Sequence, residues 1–258
     1  MPDFTDQLGR TITLPLIPRR IISLVPSQTE LLSSLGLDDS VAGITKFCIH
    51  PDAWFRSKPR VGGTKAIDSA RIAALHPDLI IANKEENDQH QVEALATRYP
   101  VWTSDIKTLP DALSMIRSVG TLTGKAAEAG QLANEIATRF RILATPPITI
   151  PAAYLIWYKP WMAAGSDTFI HQMLGYCGFH NALGDRKRYP RIDPTELIHI
   201  PNLTILLSTE PYPFKQHHID EIKITLPLAK VLLVDGELFS WYGSRLLHSP
   251  AYFRHLRE

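Results

Sequence analysis

The alternation of apolar and polar residues changes character several times along the chain, and each change marks an element. GRTITLP near the start alternates residue by residue, as a short edge strand does. Arg20–Leu24 (RIISL) is an apolar, β-rich run. VPSQTELLSSLGL then moves to helical spacing, with Ser27 placed as the N-cap and Glu30 three residues on. The same reading makes strands of Val41–Ile44, Leu79–Ala82 and Val101–Thr103, separated by helices around Ser69–Leu75 and Asn87–Tyr99. Strand and helix in alternation predict an α/β fold with a parallel sheet covered by helices.

From Leu109 to Leu143 the pattern changes to Ala, Glu, Gln, Arg and Leu, and KAAEAGQLANEIATRFRIL predicts one long helix. ATPPITIP interrupts it. Strands then return at Ala152–Trp157, Thr204–Leu207 and Lys230–Val234. The flanking regions resemble each other: IDSARIAALHPDLIIA aligns with IDPTELIHIPNLTILLS, pairing Ile67 and Asp68 with Ile192 and Asp193, and Pro77 with Pro201. The expected organisation is an N-terminal α/β lobe over 1–108, a linking helical segment over 109–145 and a C-terminal α/β lobe over 146–258. Both lobes are expected to be Rossmann-like, with a ligand cleft between them.

Composition narrows the partners. The charges nearly cancel, 27 Lys and Arg against 26 Asp and Glu, and no long run carries one sign. This excludes the electrostatic footprint of a nucleic-acid or anionic-membrane binder and favours small molecules or protein partners. A monomer is the expectation. The two cysteines, Cys48 and Cys177, suit neither a disulfide framework nor a zinc site of paired cysteines. No apolar run approaches the roughly 20 residues that span a bilayer. The first twenty residues lack a basic start followed by an apolar core. Two expectations follow: a cytoplasmic protein starting at Met1, or a periplasmic or extracytoplasmic one whose leader has been removed.

In an open parallel sheet, ligands lie beyond the carboxyl ends of the strands. In the first lobe those ends carry Pro26 and Ser27, then Lys46 and Phe47, then Asn83, Lys84 and Glu85. The second lobe adds Trp157, Tyr158 and Trp161, and later Phe239, Trp241 and Tyr242. Gly62 and Gly63 let the backbone bend, bringing Thr64 and Lys65 beside Lys46 and Phe47. Aromatic faces with a few polar tips suit a large, flat, amphipathic ligand. Trp157, Trp161 and Trp241 either wall such a cleft or pack the lobes.

Catalytic and metal-binding arrangements are weaker. Cys48 and His50 stand two apart on an extended segment and face opposite sides. Cys177 and His180 lack third and fourth ligands, His217 and His218 lie in a polar stretch, and the adjacent Glu85 and Glu86 do not converge. Neither a nucleophile elbow nor a phosphate-binding glycine loop is present. These residues point to binding without catalysis, with no resident metal or cofactor.

The motif order GRTITLP, RIISLVPSQTELLSSLGL, VAGITKFCIHP, RVGGTK and IAALHPDLIIA, then AAGSDTFIHQMLGYCGFHNAL and YPRIDPTELI, resembles the class III substrate-binding proteins of ABC importers. The cobalamin-binding branch is the nearest in pattern. The resemblance implies two α/β lobes on a rigid backbone helix, and a corrinoid, haem or ferric siderophore held between them for the membrane subunit of an ABC transporter. It places Phe47 at an aromatic that stacks on the corrin, and Thr64 where that branch has a tryptophan. It sets Asn83 and Lys84 at the edge of the site, and Trp241 and Tyr242 in the closing loop. The docking glutamates of the family fall at Ala70 and Thr195, with Glu196 adjacent. A siderophore or haem receptor is one alternative, with His50 or Tyr158 as axial ligand of a haem. A cytoplasmic enzyme or metal-binding protein derived from the fold is the other.

Overall fold

A computed structural model describes residues 2–14, 16–143 and 150–257. The chain divides into two compact units. The first comprises Met1–Ile106, Pro110–Ala137 and Tyr242–Arg245; the second comprises Lys107–Leu109, Thr138–Trp241 and Leu246–Glu258.

The first unit opens with an antiparallel pair, β1 (Asp3–Thr5) and β2 (Thr11–Thr13). Its sheet is built from β3 (Ile21–Ser23), β4 (Val41–Ile44), β5 (Leu79–Asn83) and β6 (Val101–Ser104) in the order β4-β3-β5-β6, all parallel. The helices are α1 (Pro26–Ser34), α2 (Asp52–Ser57), α3 (Ser69–Ala74), α4 (Gln89–Ala96), α5 (Leu109–Leu122) and α6 (Ala126–Ile142). Every residue of β5 and β6 is buried. Burial along the whole strand is what a parallel strand covered on both faces shows. Ile22, Leu24, Ile72, Ile80, Val92 and Val101 form much of one core cluster.

Two local readings differ from the structure. The N-cap of α1 is Val25 rather than Ser27, because Pro26 takes the first helical position, where its missing N–H costs nothing. The helical stretch after Leu109 is two helices, with α6 matching the long run and α5 preceding it. They part at Thr123–Lys125, where Gly124 adopts φ 71°. A Cβ on Gly120 would collide with that of Ala129, so glycine allows the two helices to pack closely there. The division between the units falls inside α6. The ATPPIT break, and with it the end of the 109–145 segment, lies outside the described residues.

The second unit contains β7 (Ile150–Trp157), β8 (Met162–Ala163), α7 (Phe169–Tyr176), β9 (Phe179–Asn181), β10 (Thr204–Ser208), α8 (Gln216–Thr225), β11 (Lys230–Val234), α9 (Glu237–Ser240) and α10 (Ser249–Arg257). Its sheet runs β11-β10-β7-β8 with β9 also on β7, parallel except for β8. Ala153, Leu155, Ile205, Leu207 and Ile222 anchor its core.

The internal similarity has a structural basis. Asp68 caps α3 by accepting from Arg71 N at 3.0 Å, and the chain then enters β5. Asp193 accepts from Thr195 N at 3.0 Å, while Glu196 Oε1 accepts from Asp193 N at 2.7 Å, closing a capping box on a 3₁₀ turn that leads to β10. Each unit thus builds an acid-capped turn before a fully buried strand. Ile80→Ala should cost about 2–5 kcal/mol through the cavity it leaves in the sheet core. Leu228→Ala, at a side chain 97% exposed, should stay within about 0.5 kcal/mol. Urea denaturation of both variants checks the contrast.

Candidate functional site

The carboxyl ends of three of the parallel strands in the first unit, β3, β5 and β6, converge on two buried asparagines. Asn83 Nδ2 donates to Ser104 Oγ at 2.9 Å, and its Oδ1 accepts from the amides of Glu85 (2.9 Å) and Glu86 (3.0 Å). Asn87 Oδ1 accepts from Asn83 N at 2.9 Å. Its Nδ2 donates to the carbonyls of Leu24 (3.2 Å) and Thr64 (3.1 Å). The ends of β3, β5 and β6 and the loop before α3 are therefore laced together. Asn83, expected at the edge of a ligand, is spent on this lacing.

The loop from β4 supplies the exposed face. Lys46 N donates to Gly62 O at 2.8 Å, and Gly62 sits at φ 96°. A side chain there would drive into the carbonyl of Ala66. Gly63 is needed for a different reason: its missing Cβ would stand 3.1 Å from Phe47 Cε2 and 3.3 Å from Lys46 Cε. The two glycines thus hold Phe47 in place, 50% exposed, with Lys46 Nζ 5.1 Å from its ring centre. Thr64 is half-buried beside them.

The other expected cations are committed. Lys65 Nζ donates to the carbonyls of Glu85 (2.5 Å) and Asn87 (3.2 Å), and Lys84 pairs with Asp105 at 2.5 Å. Cys48 is fully buried, with its Sγ 3.1 Å from both Thr29 Oγ1 and Thr45 Oγ1. Burial raises its pKa, which removes it as a nucleophile. Cys177 is likewise buried, its thiol pushed up to about 12 by desolvation. Among the described residues no group of three or more His, Cys, Asp or Glu is placed to hold a metal ion.

At the start of α1, Pro26, Ser27 and Gln28 are buried, and the segment Tyr242–Arg245 lies against them. Arg245 grips Glu30 through two bonds of 2.9 and 2.6 Å. A Cβ on Gly243 would stand 2.6 Å from Ser27 O. Tyr242 belongs to this strap and is buried.

In the second unit, the aromatics form a packed cluster. Tyr158 donates to Glu221 Oε2 at 2.7 Å and meets Trp161 edge-on at 4.7 Å, while Trp161 stacks on Phe214 at 5.9 Å. His218 Nδ1 accepts from Lys215 N at 3.0 Å, so in the neutral ring Nε2 carries the proton and faces Tyr212 Oη at 3.2 Å. Desolvation, followed by the neighbouring His217, lowers the His218 pKa. Phe239 is a core residue, 5.1 Å from the Tyr154 ring and 4.8 Å from that of Phe253. Trp241 is buried too, whereas Trp157 keeps 42% of its surface exposed. Ala70 and Thr195, where the resemblance puts docking glutamates, are exposed, and Glu196 pairs with Arg186 at 2.6 Å.

Residues 21–228 match the periplasmic binding protein family. The vitamin B12-binding protein of Pectobacterium atrosepticum is 26% identical over 242 residues, spanning 90% of this chain and 85% of that protein. A periplasmic haem-binding protein from Pseudomonas aeruginosa shares the fold with a TM-score of 0.79 at 20% identity, covering 93% of this chain and 92% of its own. The molybdate periplasmic binding protein MolA, cognate to a Haemophilus influenzae ABC transporter, superposes with a TM-score of 0.81 at 13% identity, over 100% and 90% of the two chains.

Two outcomes follow from the site chemistry. Cys48 and Cys177 should resist a thiol reagent in the native protein and react fully in denaturant, as counted by mass spectrometry. Because the folded pKa of His218 is depressed, its contribution to stability is present above the unfolded value near ~6.5 and lost as pH falls through the folded one. The melting temperature of His218→Gln should therefore fall less than that of the wild type between pH 7.5 and pH 5, conditions set for the scan at about those values.

Proposed function

The chain belongs to the periplasmic binding protein family, and from that membership we propose that it captures a corrinoid or closely related metal chelate outside the cytoplasm and presents it to the membrane subunit of an ABC importer. Proteins of this family bind a solute and hand it on, so the chain is a binding protein and not an enzyme. The metal arrives inside the ligand, the protein supplies no resident cofactor, and a monomer suffices for the task.

The observation that carries the choice of ligand is Phe47. A large aromatic face half open to solvent, braced from behind by Gly63, offers a flat apolar platform at the carboxyl end of β4. Such a face favours a planar macrocycle, because ring-on-ring contact gains apolar burial without ordering a flexible side chain. The charge balance of the same rim supports a ligand with few anionic groups. Lys65 and Lys84 already serve carbonyls and a carboxylate, so they offer little to a ferric siderophore or to haem propionates. Tyr158, an axial candidate for haem, is engaged with Glu221. The similarity to a vitamin B12-binding protein over 90% of the chain points the same way.

Calorimetric titration against cyanocobalamin, cobinamide, haemin and a ferric hydroxamate tests this reading. Both corrinoids should bind, with haemin and the hydroxamate weaker; tight binding of haemin or the hydroxamate with none of the corrinoids would overturn it. Phe47→Ala should weaken corrinoid binding by about tenfold or more, since aromatic anchors commonly contribute over ~1 kcal/mol each.

A further inference from the structure

The first turn of α1 holds two polar atoms that nothing in the fold satisfies. Ser27 Oγ and Gln28 Oε1 are both buried and have no hydrogen-bond partner among the described residues. Ser27 is 2% exposed and Gln28 fully enclosed. The identity of the free Gln28 atom follows from its neighbour. Ser104 Oγ spends its one proton on Ala82 O at 3.2 Å, and it accepts from Asn83 Nδ2 at 2.9 Å. The Gln28 atom 2.6 Å from Ser104 Oγ must therefore be the donor, Nε2, which leaves the carbonyl oxygen unused. The turn also carries free main-chain donors. Thr29 is the first residue of α1 whose amide reaches a main-chain carbonyl, that of Val25 at 3.0 Å; the amides of Ser27 and Gln28 precede it.

We propose that this turn is the subsite for a primary carboxamide of the ligand, with Gln28 Oε1 accepting from the amide NH₂ and the Ser27 hydroxyl and first-turn amides donating to its carbonyl. The assignment rests on the corrinoid reading and deepens it. A carboxamide carries one donor group and one acceptor, and the turn offers the complement of both. A carboxylate carries acceptors alone. It would be welcome at the helix N-terminus but would meet the Gln28 carbonyl oxygen without a proton to offer it. The turn therefore selects amide-bearing side arms over acidic ones. Access requires part of the Tyr242–Arg245 strap to yield, since Gly243 lies against the Ser27 carbonyl in this structure.

Function and stability move in opposite directions at these atoms. An orphaned buried polar atom destabilises the protein that carries it, whereas the same atom contributes when a ligand pairs with it. Ser27→Ala should melt, ligand-free, at or above the wild-type temperature; Gln28→Met also gives up the Nε2 bond to Ser104, so it is read by affinity alone. Each should bind cyanocobalamin about three- to tenfold more weakly, the effect of one neutral hydrogen bond. The carboxylic acids made by mild hydrolysis of single cyanocobalamin amides supply the second arm. Wild type should bind at least one of them more weakly than the parent, and both variants should discriminate less. Wild-type binding with unchanged affinity in both variants, or equal binding of every acid and its parent, would overturn this assignment while leaving the corrinoid reading in place. No binding of any corrinoid by the wild type would overturn both.

Discussion

The bond between Asn83 and Asn87 holds the candidate site in shape. These two buried side chains satisfy six main-chain groups and one hydroxyl, at the ends of β3, β5 and β6 and in the loop before α3. Backbone at the end of a sheet has lost its ladder partners and must find others or bear the cost of desolvation. Asparagine serves here because one short side chain offers both donor and acceptor. With the loops tied from beneath, Gly62 and Gly63 can hold the β4 loop against them, and Phe47 is left facing outward. The platform therefore depends on polar bonds several residues away from the surface it presents.

The same economy explains why the site holds rather than reacts. A nucleophile or general base needs an accessible group with a shifted pKa and a partner to activate it. Here the buried thiol is wrapped in hydroxyls and held protonated. The buried histidine is fixed between a main-chain amide and a tyrosine, and its environment favours the neutral ring. Lys65 is tied to carbonyls of the loop after β5, and Lys84 to Asp105 just beyond β6. Among the described residues, the first turn of α1 carries two unspent buried atoms, Ser27 Oγ and Gln28 Oε1, which cost stability. Unsatisfied groups of this kind are expected where a structure is completed by its ligand.

Much of the architecture was legible in the residues, for reasons that act locally. The runs RIISL, LIIAN and TILLS are too uniformly apolar to be anything but covered strands, and the acid-capped turns at Asp68 and Asp193 announce the two repeated modules. The start of α1 differs because Ser27 and Glu30 imitate a capping box, while Pro26 at the first helical position moves the cap two residues back, to Val25. The short α2, β8 and β9 left little periodic signal over six, two and three residues.

The aromatic side chains mark the limit of that legibility. Phe47 and Phe239 look alike as candidates in sequence; one stands on the rim half exposed, and the other is buried in the core beside Tyr154 and Phe253. Strand identity, helix propensity and the positive-φ glycine turn depend on a few neighbouring residues, so the chain determined them by itself. Which lysine is already paired, which tyrosine is anchored and which amide oxygen is left over depend on groups tens of residues away. Hydrogen bonds and ion pairs act over a few ångströms in space and leave no periodic trace along the chain, and only the tertiary structure could decide them.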